Sequence, residues 1–249
     1  MGTGVDRIVL ALGLGWAILG GPLAVACAAD WPQWRGSNRD GQIVQLALPA
    51  RWPTQLRRRW KVEVGEGHAS PVVAGDRVFV LSREGDDEVV RGLALADGRE
   101  LWSQRYPAPF QMSPYARAHG KGPKSTPVVA GGRLYTHGID SIVSAWDAET
   151  GKRLWQHDYS RRFTKTSSLF YGSAASPMID GDRLITFVGR LDDGALVALA
   201  CESGKPQWEW SGDGPGYASA VAVTLAGVKQ LVAQSQNACI GVSAADGWR

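Results

Sequence analysis

Three phrases of this chain, "GLALADGRELW" (Gly92 to Trp102), "AWDAETGKRLW" (Ala145 to Trp155) and "ALACESGKPQW" (Ala198 to Trp208), set their glycines Gly98, Gly151 and Gly204 at intervals of 53 residues. A fourth, "GVSAADG", reaches Gly247 after 43 more. Each is preceded by a second recurring phrase: "ASPVVAGDRVFVLS", "STPVVAGGRLYTHG", "ASPMIDGDRLITFVG" and "ASAVAVTLAGVKQLVAQ". A unit of this length is one supersecondary motif that cannot bury its own apolar faces and must stack on its neighbours.

The unit reads as four short strands. In the second copy they are Thr126–Ala130, Arg133–His137, Ile142–Asp147 and Arg153–Asp158, rich in β-branched and aromatic residues and separated by Gly and Asp turns. Such turns leave no room for paired helices. Four strands per repeat of forty to fifty residues predict an all-β chain, a β-propeller of four-stranded antiparallel blades. Thr150-Gly151-Lys152 closes the hairpin between the third and outermost strands, where glycine tolerates a positive φ. The outermost strand then carries Trp102, Trp155 or Trp208, a flat ring suited to the wedge between twisted sheets. Burying about 200 Å² of indole at about 25 cal/mol per Å² stabilises by roughly 5 kcal/mol at most.

"AWDAETGKRLW" resembles the tryptophan-docking motif AxDxxTGKxxW of the PQQ-repeat, quinoprotein-like propellers. The other copies depart from it, with Ala94 and Ala200 in place of the aspartate and Asp97 and Ser203 in place of the threonine. The resemblance spans about residues 55 to 249, and the opening "DWPQWRGSNRDG" (Asp30 to Gly41) is similar to the mature start of exported members. Because such propellers usually have seven or eight blades, it implies an incomplete ring with about four blades present. Trp60, in "RRRWKVEVG", looks like an isolated outermost strand; pairing it with the last unit would instead close a four-bladed ring.

Residues 1–29 read as a signal peptide, with Arg7, an uncharged apolar run from Ile8 to Ala26, and small residues around Cys27. A retained membrane anchor is the competing reading. "AVAC" (Ala24 to Cys27) also resembles a lipobox, which would make a lipid on Cys27 the one link to a membrane. Both the leader and the lipobox readings imply export to the periplasm or envelope. Residues 30–54 form an N-terminal extension, and 55–249 the repeats. Net charge is +3, and the basic runs Arg57–Arg59 and Arg161, Arg162, Lys165 are short; no basic stripe of the kind nucleic acid requires is visible. Cys201 and Cys239 stand apart, without metal-site or haem spacing, and read as isolated buried thiols.

With strands running outward from the axis, one end of a propeller carries two loop sets: outermost strand to next innermost, and second strand to third. Functional residues gather on such loops. The first set holds His68, His119, Tyr171 and Tyr217; the second holds Arg190 and Asp193. These six are the candidate ligand-binding residues, while Trp60, Trp102, Gly151, Trp155, Gly204 and Trp208 are candidates for structural docking. "HGKGPK" lacks P-loop spacing and precedes a strand, and no GxSxG elbow occurs. No catalytic or metal residue is assigned.

Two functions follow from the resemblance. One is a non-catalytic scaffold, similar to BamB-type outer-membrane assembly lipoproteins, that needs no cofactor and binds another envelope protein or a ligand. The alternative is a dehydrogenase using PQQ and Ca²⁺ on alcohols or sugars, with the cofactor carrying the redox step. The adjacent cysteine pair of such enzymes is missing here, which favours the scaffold.

Overall fold

A computed structural model describes residues 30–43, 49–163 and 169–248. The expected leader, with Cys27, lies outside them, as does Lys165. The chain is all-β. Sheet 1 holds β1 (Val72–Ala74), β2 (Arg77–Glu84), β3 (Asp87–Ala94) and β4 (Glu100–Pro107). Sheet 2 holds β5 (Val128–Ala130), β6 (Arg133–His137), β7 (Ile142–Asp147) and β8 (Arg153–Asp158). Sheet 3 holds β9 (Met178–Asp180), β10 (Arg183–Arg190), β11 (Asp193–Ala200) and β12 (Pro206–Ser211), and sheet 4 holds β13 (Val221–Leu225), β14 (Val228–Gln234) and β15 (Cys239–Ser243). Each sheet is a simple antiparallel meander. In the second unit only the first strand is shorter than its sequence suggests, because Pro127 has no N–H to give the ladder.

The turn glycines adopt the left-handed conformation, with φ of +75° at Gly98, +73° at Gly151, +71° at Gly204 and +76° at Gly247. A ring from the preceding repeat lies on each. A β-carbon built on Gly151 would stand 2.6 Å from the Trp102 ring, one on Gly204 2.7 Å from Trp155, and one on Gly247 2.6 Å from Trp208. Trp60 occupies the same seat on Gly98 at 2.7 Å. The indole N–H groups add hydrogen bonds to the carbonyls three residues before the glycine: Trp60 to Leu95 at 2.9 Å, Trp102 to Ala148 at 3.1 Å and Trp155 to Cys201 at 3.1 Å. On its own sheet each ring lies across a small residue. Trp102 pairs with Gly92, Trp155 with Ala145 and Trp208 with Ala198, and in all three sheets the register shifts by a bulge just beyond that pair.

Three apolar clusters join sheets 1 and 2, 2 and 3, and 3 and 4. None among the described residues joins sheet 4 to sheet 1, so the sheets form an open arc. Sheet 4 leaves Val221, Leu225 and Val228 exposed. Cys239 lies there too and is exposed, while Cys201 is half-buried. This corrects the expectation of two buried thiols: Cys239 sits on the edge strand of a sheet with only one neighbouring sheet.

The first strands β1, β5 and β9 neighbour one another at the axis. The segment from Asp30 climbs past them. The Asp30 carboxylate accepts from Gly75 N–H in the β1–β2 turn at 2.8 Å. Trp31 and Val73 exchange two backbone hydrogen bonds of 2.9 Å, and Val129 N–H donates to Pro32 O at 2.8 Å. Arg39 then donates to Pro177 O at 3.0 Å and Ala220 O at 3.2 Å, spanning sheets 3 and 4. One peptide thus touches all four inner edges.

Candidate functional site

The strand directions bring the loops joining consecutive sheets to one end of the axis. Beneath them runs a belt of hydroxyls from the repeated phrase. Ser70 N–H donates to Thr126 Oγ1 at 3.3 Å, Thr126 N–H to Ser176 Oγ at 2.9 Å, and Ser176 N–H to Ser219 Oγ at 2.8 Å. Each repeat therefore satisfies a backbone donor of the one before it, which holds the loops in register. Arg39 braces the same level, its guanidinium lowered to about 10 by burial.

Above the belt, each of the three inter-sheet loops contributes one aromatic side chain, and the segment before β1 adds His68, to a hollow of about 420 Å³ lined by His68, His119, Lys124, Tyr171, Ala174 and Tyr217. His119 and Tyr171 meet edge to face, centroids 4.8 Å apart at 81°, and Tyr171 meets Tyr217 at 5.5 Å and 66°. His68 Nε2 lies 2.9 Å from His119 O. The walls are apolar ring surface. Burial raises the Tyr217 hydroxyl above its ordinary pKa and lowers the Lys124 amine below its own, the latter with help from Arg83. Lys124 turns inward, donating to Gly120 O at 3.1 Å and Gly122 O at 3.2 Å. The glycines of "HGKGPK" serve close packing: a β-carbon on Gly122 would lie 2.5 Å from the Gly67 backbone.

The other two candidates stand apart from this hollow. Arg190 pairs with Asp140 at 3.0 Å and lines a neighbouring hollow of about 580 Å³ with Met112, Tyr115, Phe170 and Leu191. Burial raises the Asp140 carboxyl above its usual range. Asp193 lines a third hollow near Asp192, Asp213 and Glu209. There Asp213 is committed to Gly214 N–H at 2.9 Å and Asn237 N–H at 2.8 Å, and Arg162 is bonded to Glu209.

Between sheets 1 and 2 the loop end hides a polar cluster. Glu88 is fully buried and accepts from Tyr106 Oη at 2.6 Å and Ile139 N–H at 2.7 Å. Burial raises its carboxyl pKa despite those donors. Buried Arg83 spends its guanidinium on the carbonyls of Lys121, Gly85 and Ala108. These groups tie the long Tyr106–Lys124 loop to the blade beneath it.

Lys124, Arg39 and the hydroxyl belt are absent from the sequence-based candidates. The belt had a readable signal, a Ser or Thr at the second position of all four repeated phrases. Arg39 had none, since the carbonyls it braces on sheets 3 and 4 lie more than a hundred residues away.

The donor set does not suit a hard cation. Ca²⁺ takes six to eight oxygens, whereas no group of three or more His, Cys, Asp or Glu among the described residues is placed to share a metal ion.

A family model described as outer membrane protein assembly factor BamB matches residues 54–117 and 86–249. The polyvinylalcohol dehydrogenase of Sphingopyxis sp. (strain 113P3) is 27% identical over 199 residues, covering 76% of this chain and 29% of its own length. The outer membrane protein assembly factor BamB of Burkholderia pseudomallei (strain K96243) is 24% identical over 217 residues, covering 74% of this chain and 54% of its own. A quinohemoprotein alcohol dehydrogenase from Pseudomonas putida HK5 superposes with a TM-score of 0.54 at 19% identity, over 76% of this chain and 34% of that one. At that identity the likeness is one of fold. This chain thus spans roughly a third to a half of the length of these relatives.

Proposed function

Because this chain belongs to the outer membrane protein assembly factor BamB family, we propose that it is an exported, non-catalytic propeller scaffold that binds a protein partner at the loop end of its axis. The carrying observation is the hollow to which the three inter-sheet loops and the segment before β1 each bring one aromatic side chain. Its lining has apolar surface for binding and no paired acid and base positioned for chemistry. The belt and the axial segment make its support rigid, as a docking surface requires. In this reading His68, His119, Tyr171 and Tyr217 form the contact, Arg190 and Asp193 flank it, and the seated tryptophans array the loops. The relative from Burkholderia pseudomallei, an assembly factor, supports a partner in the cell envelope and export to the periplasm.

The polyvinylalcohol dehydrogenase relative supports a second reading, a PQQ- and Ca²⁺-dependent dehydrogenase. The two separate cleanly in one experiment. Purified protein is mixed with PQQ and Ca²⁺, desalted, scanned for quinone absorbance and assayed for alcohol-dependent dye reduction. The scaffold reading expects neither absorbance on the protein nor dye reduction. One PQQ retained per chain, with turnover, would replace it with the dehydrogenase.

A further inference from the structure

The loop end pairs its aromatic surface with a one-sided charge. The segment Tyr106–Lys124 contains Arg117, Lys121 and Lys124 and no Asp or Glu. It thus carries as much net positive charge as the whole chain, +3. Among the described residues none of these three cations has a carboxylate partner within 4.0 Å. Of the acids around the segment, Glu66 lies beside Gly120, Asp140 is paired with Arg190, and Glu88 is buried against Tyr106 and Ile139 N–H.

The aromatic surface is a ridge with a hollow on each side. Tyr171 lines the first hollow and its neighbour Phe170 the second, where Phe170 meets Tyr115 at 6.4 Å. Tyr115 is 88% exposed, and Phe170, Tyr171 and Tyr217 are exposed as well. Two adjacent hollows separated by a ridge suit two side chains of one polymer better than a single compact molecule. Nucleic acid would need parallel faces on which successive bases stack, and these rings meet at 81° and 66°.

We propose that the Phe170–Tyr171 ridge, with its two flanking hollows and the Arg117–Lys124 cations, is the docking site for an acidic peptide segment carrying aromatic side chains. The rings would receive the apolar groups, and the cations would steer and hold the carboxylates. This rests on the scaffold reading above and names its partner class.

The test is fluorescence anisotropy with a labelled Asp-Glu-Trp-Glu-Asp-Phe-Glu-Asp peptide on the full chain. Control peptides replace the aromatics by Ser or the acids by Lys, and an eight-nucleotide oligothymidylate tests the nucleic-acid class. Each control is expected to bind at least about tenfold more weakly than the parent peptide. Tyr171→Ala should weaken parent binding by about tenfold. Arg117→Gln with Lys121→Gln, on exposed side chains that leave the fold alone, should weaken it about threefold or more and flatten its salt dependence. No binding of the parent peptide, equal binding of either control peptide, or preference for oligothymidylate would each overturn the proposal. A chain that retains neither PQQ nor the peptide loses this inference and keeps the scaffold reading.

Discussion

Gly151 and Trp102 make one joint from two repeats, and the glycine is needed there twice over. Its φ of +73° excludes most side chains, and the ring fills the space a β-carbon would take. Gly75 has φ +58° with nothing within 4 Å. Gly75→Ala should therefore cost only the left-handed penalty, about 1–2 kcal/mol. Gly151→Ala should cost that plus a displaced indole, about 3 kcal/mol or more in urea unfolding. Equal losses at the two positions would show that the ring is not seated on Gly151. His137 makes a separate prediction. It is fully buried on β6, its Nδ1 2.8 Å from Thr186 Oγ1, and burial lowers its pKa from 6.5 to about 4. As pH falls through this window the unfolded chain takes up a proton that the folded chain refuses, so stability falls with it. The full loss approaches about 3 kcal/mol below pH 4. His137→Asn, which retains a polar group toward Thr186, should flatten the decline in melting temperature between pH 7 and pH 4.5. Parallel declines would remove His137 as a cause.

At the level of elements, the strand pattern and the turn positions were legible because each repeat states them again: β6, β7 and β8 begin and end where the alternation of apolar runs and Gly turns puts them. The loop end was legible only as far as topology carries it. Counting strands places all six candidates at one end. It does not reveal that four of them share a hollow while Arg190 turns to Asp140, because those distances depend on irregular loops without a repeat. The hydroxyl belt lies between these cases, visible as a recurring letter but not as a hydrogen bond. Its central link gives a prediction: Ser176→Ala leaves the buried Thr126 N–H without its acceptor, at a cost of about 1–3 kcal/mol. Ser176→Thr, which keeps the hydroxyl, should recover most of it. Identical unfolding midpoints for the alanine variant and the parent would show that the belt does not hold the loops.

For the whole molecule, the arc leaves one sheet face uncovered. Val221, Leu225 and Val228 on sheet 4 are exposed together, and apolar sheet surface of this kind promotes association. Leu225→Lys with Val228→Lys should shift sedimentation toward monomer while changing stability by no more than about 0.5 kcal/mol; unchanged self-association would place the sticky surface elsewhere. The arc itself depends on the seats that the repeats provide for one another's indoles. Trp155 is the decisive ring, because it joins sheets 2 and 3 at the middle of the arc and touches both Gly204 and Cys201 O. The direct measurement is the urea unfolding midpoint of Trp155→Ala. A loss of about 3 kcal/mol is predicted, the low end for a core aromatic because this ring is half-buried, and a midpoint equal to the parent's would contradict the account.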